Sequence, residues 1–271
     1  MITLADDLGR PVTLAAPASR IVSLVPSVTE TVFALARGAA VCGATRYCVE
    51  PAGHMQHVTR VGGTKNPDVA RIIALAPDLV VVNPEENRRA DFDALAAAGL
   101  ELFVSFPQRV ADVPRMLRQL GTLVDASPAA ERQARAVEAA LAKAATWASG
   151  GRPRVFCPIW RNPWMSVNHD TFIDDLLSLA GGRNVCRDAA ERYCTVTLEA
   201  IAEHAPQVVL LPDEPYVFGP KDLPALAPLR ATPALRSDRV HFVDGKALAW
   251  YGPRTADALR MVHGLLHPHA R

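Results

Sequence analysis

The sequence predicts an α/β protein of two similar lobes, each built on a parallel sheet, joined by a single long α-helix. Three observations carry this. The chain has 271 residues, more than one hydrophobic core usually organises, so two domains are the default. It also repeats itself: Ala76-Pro77-Asp78-Leu79-Val80-Val81-Val82-Asn83-Pro84-Glu85-Glu86 parallels Ala205-Pro206-Gln207-Val208-Val209-Leu210-Leu211-Pro212-Asp213-Glu214. Between the copies lies a stretch rich in Ala, Glu, Arg and Gln that reads as one helix.

Taken from the N-terminus, residues 2–14 alternate around Asp7-Leu8-Gly9-Arg10, which predicts a small β-hairpin. Residues 20–25 read as an opening strand. Ser27-Val28-Thr29-Glu30 then has the spacing of a capping box and starts a helix. Residues 69–75 have helical periodicity and Pro77 ends them. The continuous apolar run at 79–82 suits a parallel sheet covered on both faces. A late strand follows at 101–105. Ser127 as N-cap, Pro128 at the first helical position and Ser149-Gly150-Gly151 past the end delimit the linking helix. Its roughly 20 residues reach about 30 Å. One stiff connection of this kind predicts limited opening and closing.

The second copy has the same order. Residues 154–159 open it, and Asp170 caps a helix that runs to Ala180 before Gly181-Gly182. A helix at 198–204, a strand at 208–211 and a late strand at 239–243 follow. The expected domains are an N-terminal lobe with its hairpin at 1–126, the linking helix at 127–150 and a C-terminal lobe at 151–271.

Composition narrows the function. Lys and Arg total 29 against 28 Asp and Glu, a net charge of +1 without a basic stripe. Nucleic acid and membrane surfaces are therefore poor partners. No apolar run approaches the roughly 20 residues a membrane span needs. Met1 is not followed by a basic segment and a long apolar run, so no signal peptide is read. The chain is then the mature part of a periplasmic or cell-envelope protein, or it is cytoplasmic. The five cysteines are odd in number and show no C-x-x-C spacing, which argues for buried free thiols over a disulfide framework or structural zinc.

Catalytic motifs are missing. There is no G-x-S-x-G, no P-loop and no G-x-G-x-x-G after a strand. Glu85-Glu86 and Asp213-Glu214 read as solvated turns. The expectation is a protein that is not an enzyme and uses no catalytic cofactor. His54-Met55-Gln56-His57 lacks the glutamate of a zincin and sits in a loop. His169 is the one histidine with a case as a ligand of cobalt or iron, against a plain polar loop.

Ligands of open parallel sheets bind beyond the carboxyl ends of the strands. Two such sheets facing each other would line one cleft. The residues that follow the strands are Tyr47, then Trp160, Arg161, Asn162 and Trp164, then Tyr216 and Phe218, then Trp250, Tyr251 and Arg254; Tyr193 precedes the helix at 198. Three of the four tryptophans and all four tyrosines fall at such positions, although aromatics are only 6% of the chain. This predicts an aromatic cleft for a bulky, partly aromatic ligand, held by a monomer without turnover. Tyr47, Trp164, Tyr193 and Trp250 would stack on it and Arg254 would fix its polar edge.

Arg20-Ile21-Val22-Ser23-Leu24-Val25-Pro26-Ser27-Val28-Thr29-Glu30, Gly43-Ala44-Thr45-Arg46-Tyr47, Val61-Gly62-Gly63-Thr64 and the run from Ile73 to Val80 occur in an order that resembles the helical-backbone (TroA-like) substrate-binding proteins of ABC importers. The resemblance covers nearly the whole chain, through the closing Trp250-Tyr251-Gly252-Pro253-Arg254, and is nearest to the cobalamin-binding branch. It implies a class III periplasmic-binding-protein-like fold of two Rossmann-like lobes, and a corrinoid in the inter-lobe cleft. Tyr47, Asn162-Pro163-Trp164 and Tyr193 would border the corrin. An iron siderophore or haem is the alternative ligand, and a cytoplasmic protein handling corrinoids or metal cofactors is a third reading. Asn83 stands where the resemblance places a tryptophan, and Lys246 and Trp250 replace an acidic and basic pair. The resemblance also implies an ABC permease as partner, met by one glutamate per lobe. Glu199 matches in the second lobe, whereas Ala70 stands at the first-lobe position.

Overall fold

Short runs of β-branched and leucine residues alternate with helices throughout the computed structural model, which describes residues 1–149 and 151–268. In chain order the first half forms β1 (Ile2–Ala5), β2 (Pro11–Leu14), β3 (Ile21–Ser23), α1 (Pro26–Ala34), β4 (Val41–Ala44), β5 (Thr59–Arg60) and α2 (Val69–Ala74). It continues with β6 (Leu79–Val82), α3 (Arg89–Ala97), β7 (Leu102–Val104) and α4 (Val113–Leu123). Helix α5 (Ser127–Ala145) follows and ends in a 3-10 turn over Thr146–Ser149. The Gly150 stop read from the sequence, and His269 in the tail, lie outside the described residues.

The second half forms β8 (Arg154–Phe156), β9 (Met165–Val167), α6 (Phe172–Leu179), β10 (Arg183–Asn184), β11 (Tyr193–Thr195) and α7 (Leu198–Glu203). After it come β12 (Val208–Pro212), α8 (Pro233–Arg236), β13 (Val240–Val243), α9 (Gly245–Ala249) and α10 (Thr255–Leu266). The chain divides into two units. One comprises Met1–Pro107, Asp112–Ala136 and Tyr251–Pro253; the other comprises Gln108–Ala111, Val137–Trp250 and the chain from Arg254 onward. The boundary between them falls inside α5.

The first unit is a five-stranded parallel sheet in the order β5-β4-β3-β6-β7, with β1 and β2 as an antiparallel hairpin. Every residue of β6 is buried, which is why its sequence is unbroken Leu-Val-Val-Val. The second unit is a four-stranded parallel sheet in the order β10-β8-β12-β13, with β9 and β11 paired antiparallel beside it. The fold class read from the sequence is the one observed.

The repeat extends to individual hydrogen bonds. Ala76 and Ala205 both adopt the left-handed conformation, with φ of 44° and 45°, closing α2 and α7 before their prolines. The Arg20 guanidinium donates to the carbonyls of Leu75 and Ala76, and Arg154 does the same to His204 and Ala205. Each arginine opens a central strand and ties off the last turn of the neighbouring helix, where a cation meets orphan carbonyls.

Two caps differ from expectation. Helix α1 begins at Pro26 with Val25 as an N-cap that makes no side-chain bond, so Ser27 is the second helical residue and no capping box forms. Proline at the first helical position has its φ already set and no N–H to satisfy, which moves the start forward. Helix α6 is capped by Thr171, whose hydroxyl accepts from the Asp174 amide at 3.2 Å, and not by Asp170.

Candidate aromatic binding site

In the second unit the chain leaves β8 and turns back into β9 through Arg161, Asn162, Pro163 and Trp164. The turn is closed by Ile159 N–H to Met165 C=O at 2.8 Å and Met165 N–H to Trp160 C=O at 3.1 Å. Asn162 sits at φ 64°, a region asparagine tolerates better than most residues, ahead of a cis bond to Pro163. Asn162 is therefore explained by the backbone it adopts. The turn puts Trp160 and Trp164 on the same loop as Arg161.

These side chains meet the loop after β12. Trp160 packs edge-on against Tyr216, centroids 5.7 Å apart, and Tyr216 lies 4.6 Å from Phe218. Phe218 stacks nearly parallel on Trp164 at 5.7 Å. Four rings thus form one continuous cluster, of which Trp160 remains 41% exposed. Arg161 lies over Trp164 at 5.9 Å and Lys221 over Tyr216 at 5.8 Å. Arg161 also pairs with Asp222, which accepts from the Tyr216 hydroxyl at 3.2 Å and the Gly219 amide at 2.9 Å. Burial alone would raise the Asp222 carboxyl, but the Gly219 amide, Arg161 and Tyr216 together hold it below the ordinary aspartate value. Asp222 thereby anchors both polar ends of the cluster. It was missed in the sequence, although Gly219-Pro220 followed by an acid at Asp222 is a helix-start signature.

Trp250 is placed otherwise than expected. It is only 6% exposed, and its indole N–H donates to Glu214 Oε1 at 2.9 Å. Lys246 and Arg254 approach its ring at 5.8 and 5.9 Å, and Arg254 pairs with Asp244 at 3.0 Å. An open stacking face is not what Trp250 offers; buried, it holds together the loops after β12 and β13. Burial raises the Glu214 carboxyl against the opposing pull of Trp250 and Lys246. Gly245 is required here, because a Cβ would sit 2.5 Å from the backbone N and O of Glu214. Tyr193, 41% exposed on β11, presents its ring with Arg192 at 6.0 Å.

In the first unit Tyr47 follows β4, half exposed, with Arg46 over its ring at 5.1 Å. Asn83 follows β6 and is buried, serving as a hub. Its amide donates to the Ser105 carbonyl at 2.9 Å and to the Tyr251 hydroxyl at 3.1 Å, while its Oδ1 accepts from the amides of Glu85 and Glu86. Tyr251 is buried and donates to Ser105 at 3.0 Å, so it too is a tie rather than an open face.

His169 Nδ1 donates to the Arg187 carbonyl at 3.0 Å, and Nε2 lies 3.3 Å from Asp170. Among the described residues no group of three or more His, Cys, Asp or Glu is placed to hold a metal ion. Glu199 and Ala70 are both exposed second residues of their helices, α7 and α2, so they occupy matching positions of the repeat. Asp68 caps α2 and pairs with Arg71. No helix among the described residues is long and apolar enough to cross a membrane.

Comparison with known proteins adds three findings. The model of the family described as periplasmic binding protein matches residues 21–247. The vitamin B12-binding protein of Yersinia pestis (strain Pestoides F) is 29% identical over 203 residues, covering 73% of this chain and 70% of that protein. Two solved structures superpose with a TM-score of 0.82. The periplasmic vitamin B12 binding protein BtuF of Vibrio cholerae is 23% identical and covers 93% of this chain and 98% of its own. The periplasmic heme-binding protein RhuT from Roseiflexus sp. RS-1 is 26% identical and covers 94% and 100%.

Proposed function

From the premise that this chain belongs to the periplasmic binding protein family, we propose that it captures a flat macrocycle, a corrinoid, and passes it to an ABC permease without turning it over. The observation that carries this reading is the four-ring cluster of Trp160, Tyr216, Phe218 and Trp164 in the second unit. Rigid aromatic faces with polar edges suit a broad, partly aromatic ligand at low entropic cost. Tyr193, exposed on β11 of the same unit, is the further contact of this reading. The vitamin B12-binding relatives supply the ligand class.

A haem-binding relative makes haem the competing ligand. Haem carries carboxylates that call for available cations. Arg161 and Arg254 are each already paired, with Asp222 and Asp244. At these two positions that arrangement suits the neutral amide edge of a corrinoid, whereas Lys221 and Arg192, beside Tyr216 and Tyr193, are the cations that a haem carboxylate would meet. Handover to the permease is assigned to Glu199, exposed in the first turn of α7, in the cell envelope where the relatives named periplasmic act.

Titration with cyanocobalamin, following heat and tryptophan fluorescence together, tests the reading, with hemin titrated in parallel. One-to-one saturation with quenching by cyanocobalamin supports it. Saturation by hemin alone would replace the corrinoid with haem, and binding of neither would remove the aromatic cluster as the site.

A further inference from the structure

His263 and His267 stand four residues apart at the end of α10, so their rings fall on one side of it. The ring centroids are 4.9 Å apart and the planes are tilted by 37°. Each ring is held by a backbone carbonyl just past α6. His263 Nδ1 donates to Ala180 C=O at 3.0 Å, and His267 Nε2 donates to Gly181 C=O at 3.3 Å. A carbonyl only accepts, so in the neutral rings those nitrogens carry the protons. The lone pairs then sit on His263 Nε2 and His267 Nδ1. Neither nitrogen has a hydrogen-bond partner among the described residues.

Three further contacts build the place. The Trp147 indole stacks flat on His263, with centroids 3.7 Å and planes 4° apart, which covers a face of the ring and leaves its edge open. Gly181, at φ 86°, lets His267 approach, since a Cβ there would stand 2.8 Å from His267 Nε2. Arg239 donates to the carbonyls of Leu265 and Leu266 at 3.0 and 2.7 Å, fixing the turn between the two histidines. Both histidines are half-buried.

We propose that His263 and His267 chelate a divalent late transition metal, Cu2+ ahead of Zn2+. The separation of the rings suits this. A metal about 2.0–2.1 Å from an imidazole nitrogen stands about 3.2 Å from the ring centroid. Centroids 4.9 Å apart then set the nitrogen–metal–nitrogen angle at about 100°, between the tetragonal preference of Cu2+ and the tetrahedral one of Zn2+. A backbone carbonyl on the other ring nitrogen is how metal-ligating histidines keep their orientation and tautomer. Imidazole pairs select these ions over Mg2+ and Ca2+, which take oxygen ligands, and Cu2+ stands highest in affinity. With two protein ligands, water fills the remaining positions and the metal exchanges. The pair shares no residue with the aromatic cluster and is independent of the ligand taken there.

The test titrates the purified full chain with copper(II) chloride in a non-coordinating buffer and reads bound copper by equilibrium dialysis. A single tightest site per chain is expected. His263→Gln and His267→Gln should each weaken it by at least about tenfold, the smallest cost of disturbing even a ligand's own hydrogen-bond partner. Diethyl pyrocarbonate, which acylates accessible imidazole, locates the metal on the wild-type chain whether or not those variants fold. Cu2+ should protect His263 and His267 together, read by tandem mass spectrometry of the tryptic peptide 261–271. Undiminished copper affinity in either folded variant, protection that omits either histidine, or no copper retained on dialysis would each overturn the pair.

Discussion

The side-chain amide of Asn83 donates to the Tyr251 hydroxyl at 3.1 Å, joining residues 168 positions apart. Both groups are buried, and both also bond the Ser105 carbonyl. Removing one partner leaves a buried polar group unsatisfied, which costs more than the bond itself contributes. Tyr251→Phe should lose about 1 kcal/mol, because Asn83 keeps Ser105. Asn83→Ala should lose about 2–3 kcal/mol, since it also strips the amides of Glu85 and Glu86 of their acceptor. Thermal unfolding of both variants checks the order. Equal midpoints for Asn83→Ala and wild type would remove the hub.

Trp160 is the exposed end of the ring cluster and carries little of the core. Trp160→Ala should therefore leave the unfolding midpoint nearly unchanged. Affinity for cyanocobalamin should fall roughly two- to twelvefold, the worth of one aromatic contact of about 0.5–1.5 kcal/mol. Calorimetric titration of the variant against wild type reads this directly. An unchanged affinity would put the ligand elsewhere.

Gly245→Ala should be disruptive although the new side chain is a single methyl. The added carbon meets backbone atoms of Glu214 at 2.5 Å, and backbone cannot swing aside as a side-chain tip can. The expected loss is about 1–3 kcal/mol. The shift should be accompanied by a changed emission from Trp250, whose indole hydrogen bond to Glu214 would be displaced. Near-ultraviolet circular dichroism and fluorescence measure it. A variant as stable as wild type with the same spectrum would contradict the tight approach.

How far the sequence could be read follows from the range of the interactions. Ala-Pro-Asp-Leu at 76–79 and Ala-Pro-Gln-Val at 205–208 encode local events: a left-handed closing residue, a helix stop and a strand. Both copies accordingly fold alike. The caps were misread by one or two residues, because Ser27 and Asp170 are good cap residues beside the groups that act, Pro26 and Thr171. The aromatic positions were legible from their place after strands. Their exposure was not. Trp250 is buried through Glu214, 36 positions away, and Tyr251 through Asn83, 168 positions away. No local pattern announces such partners. The Arg161–Asp222 pair was hidden for the same reason, since only the return of the loop after β12 brings Asp222 to the turn that carries Arg161.

Glu214 gives a pH dependence of known sign. Burial raises its carboxyl above the ordinary value of 4.5, with Asp213 and Asp244 adding to the rise and Trp250 and Lys246 opposing it. The folded state then holds a proton more firmly than the unfolded chain, so stability falls as pH rises from about 4.5 through the raised folded value. Asp7 and Asp174 are raised as well, so the wild-type profile alone mixes several groups. The difference between wild type and Glu214→Gln isolates this one. The glutamine keeps an acceptor for the Trp250 indole without carrying a buried charge. Its midpoint should match wild type near pH 4.5 and exceed it near pH 7, the gap opening across the window between. Thermal scans at half-unit pH steps provide the comparison. A gap that opens in the opposite direction would mean that the Trp250 and Lys246 contacts outweigh burial at Glu214.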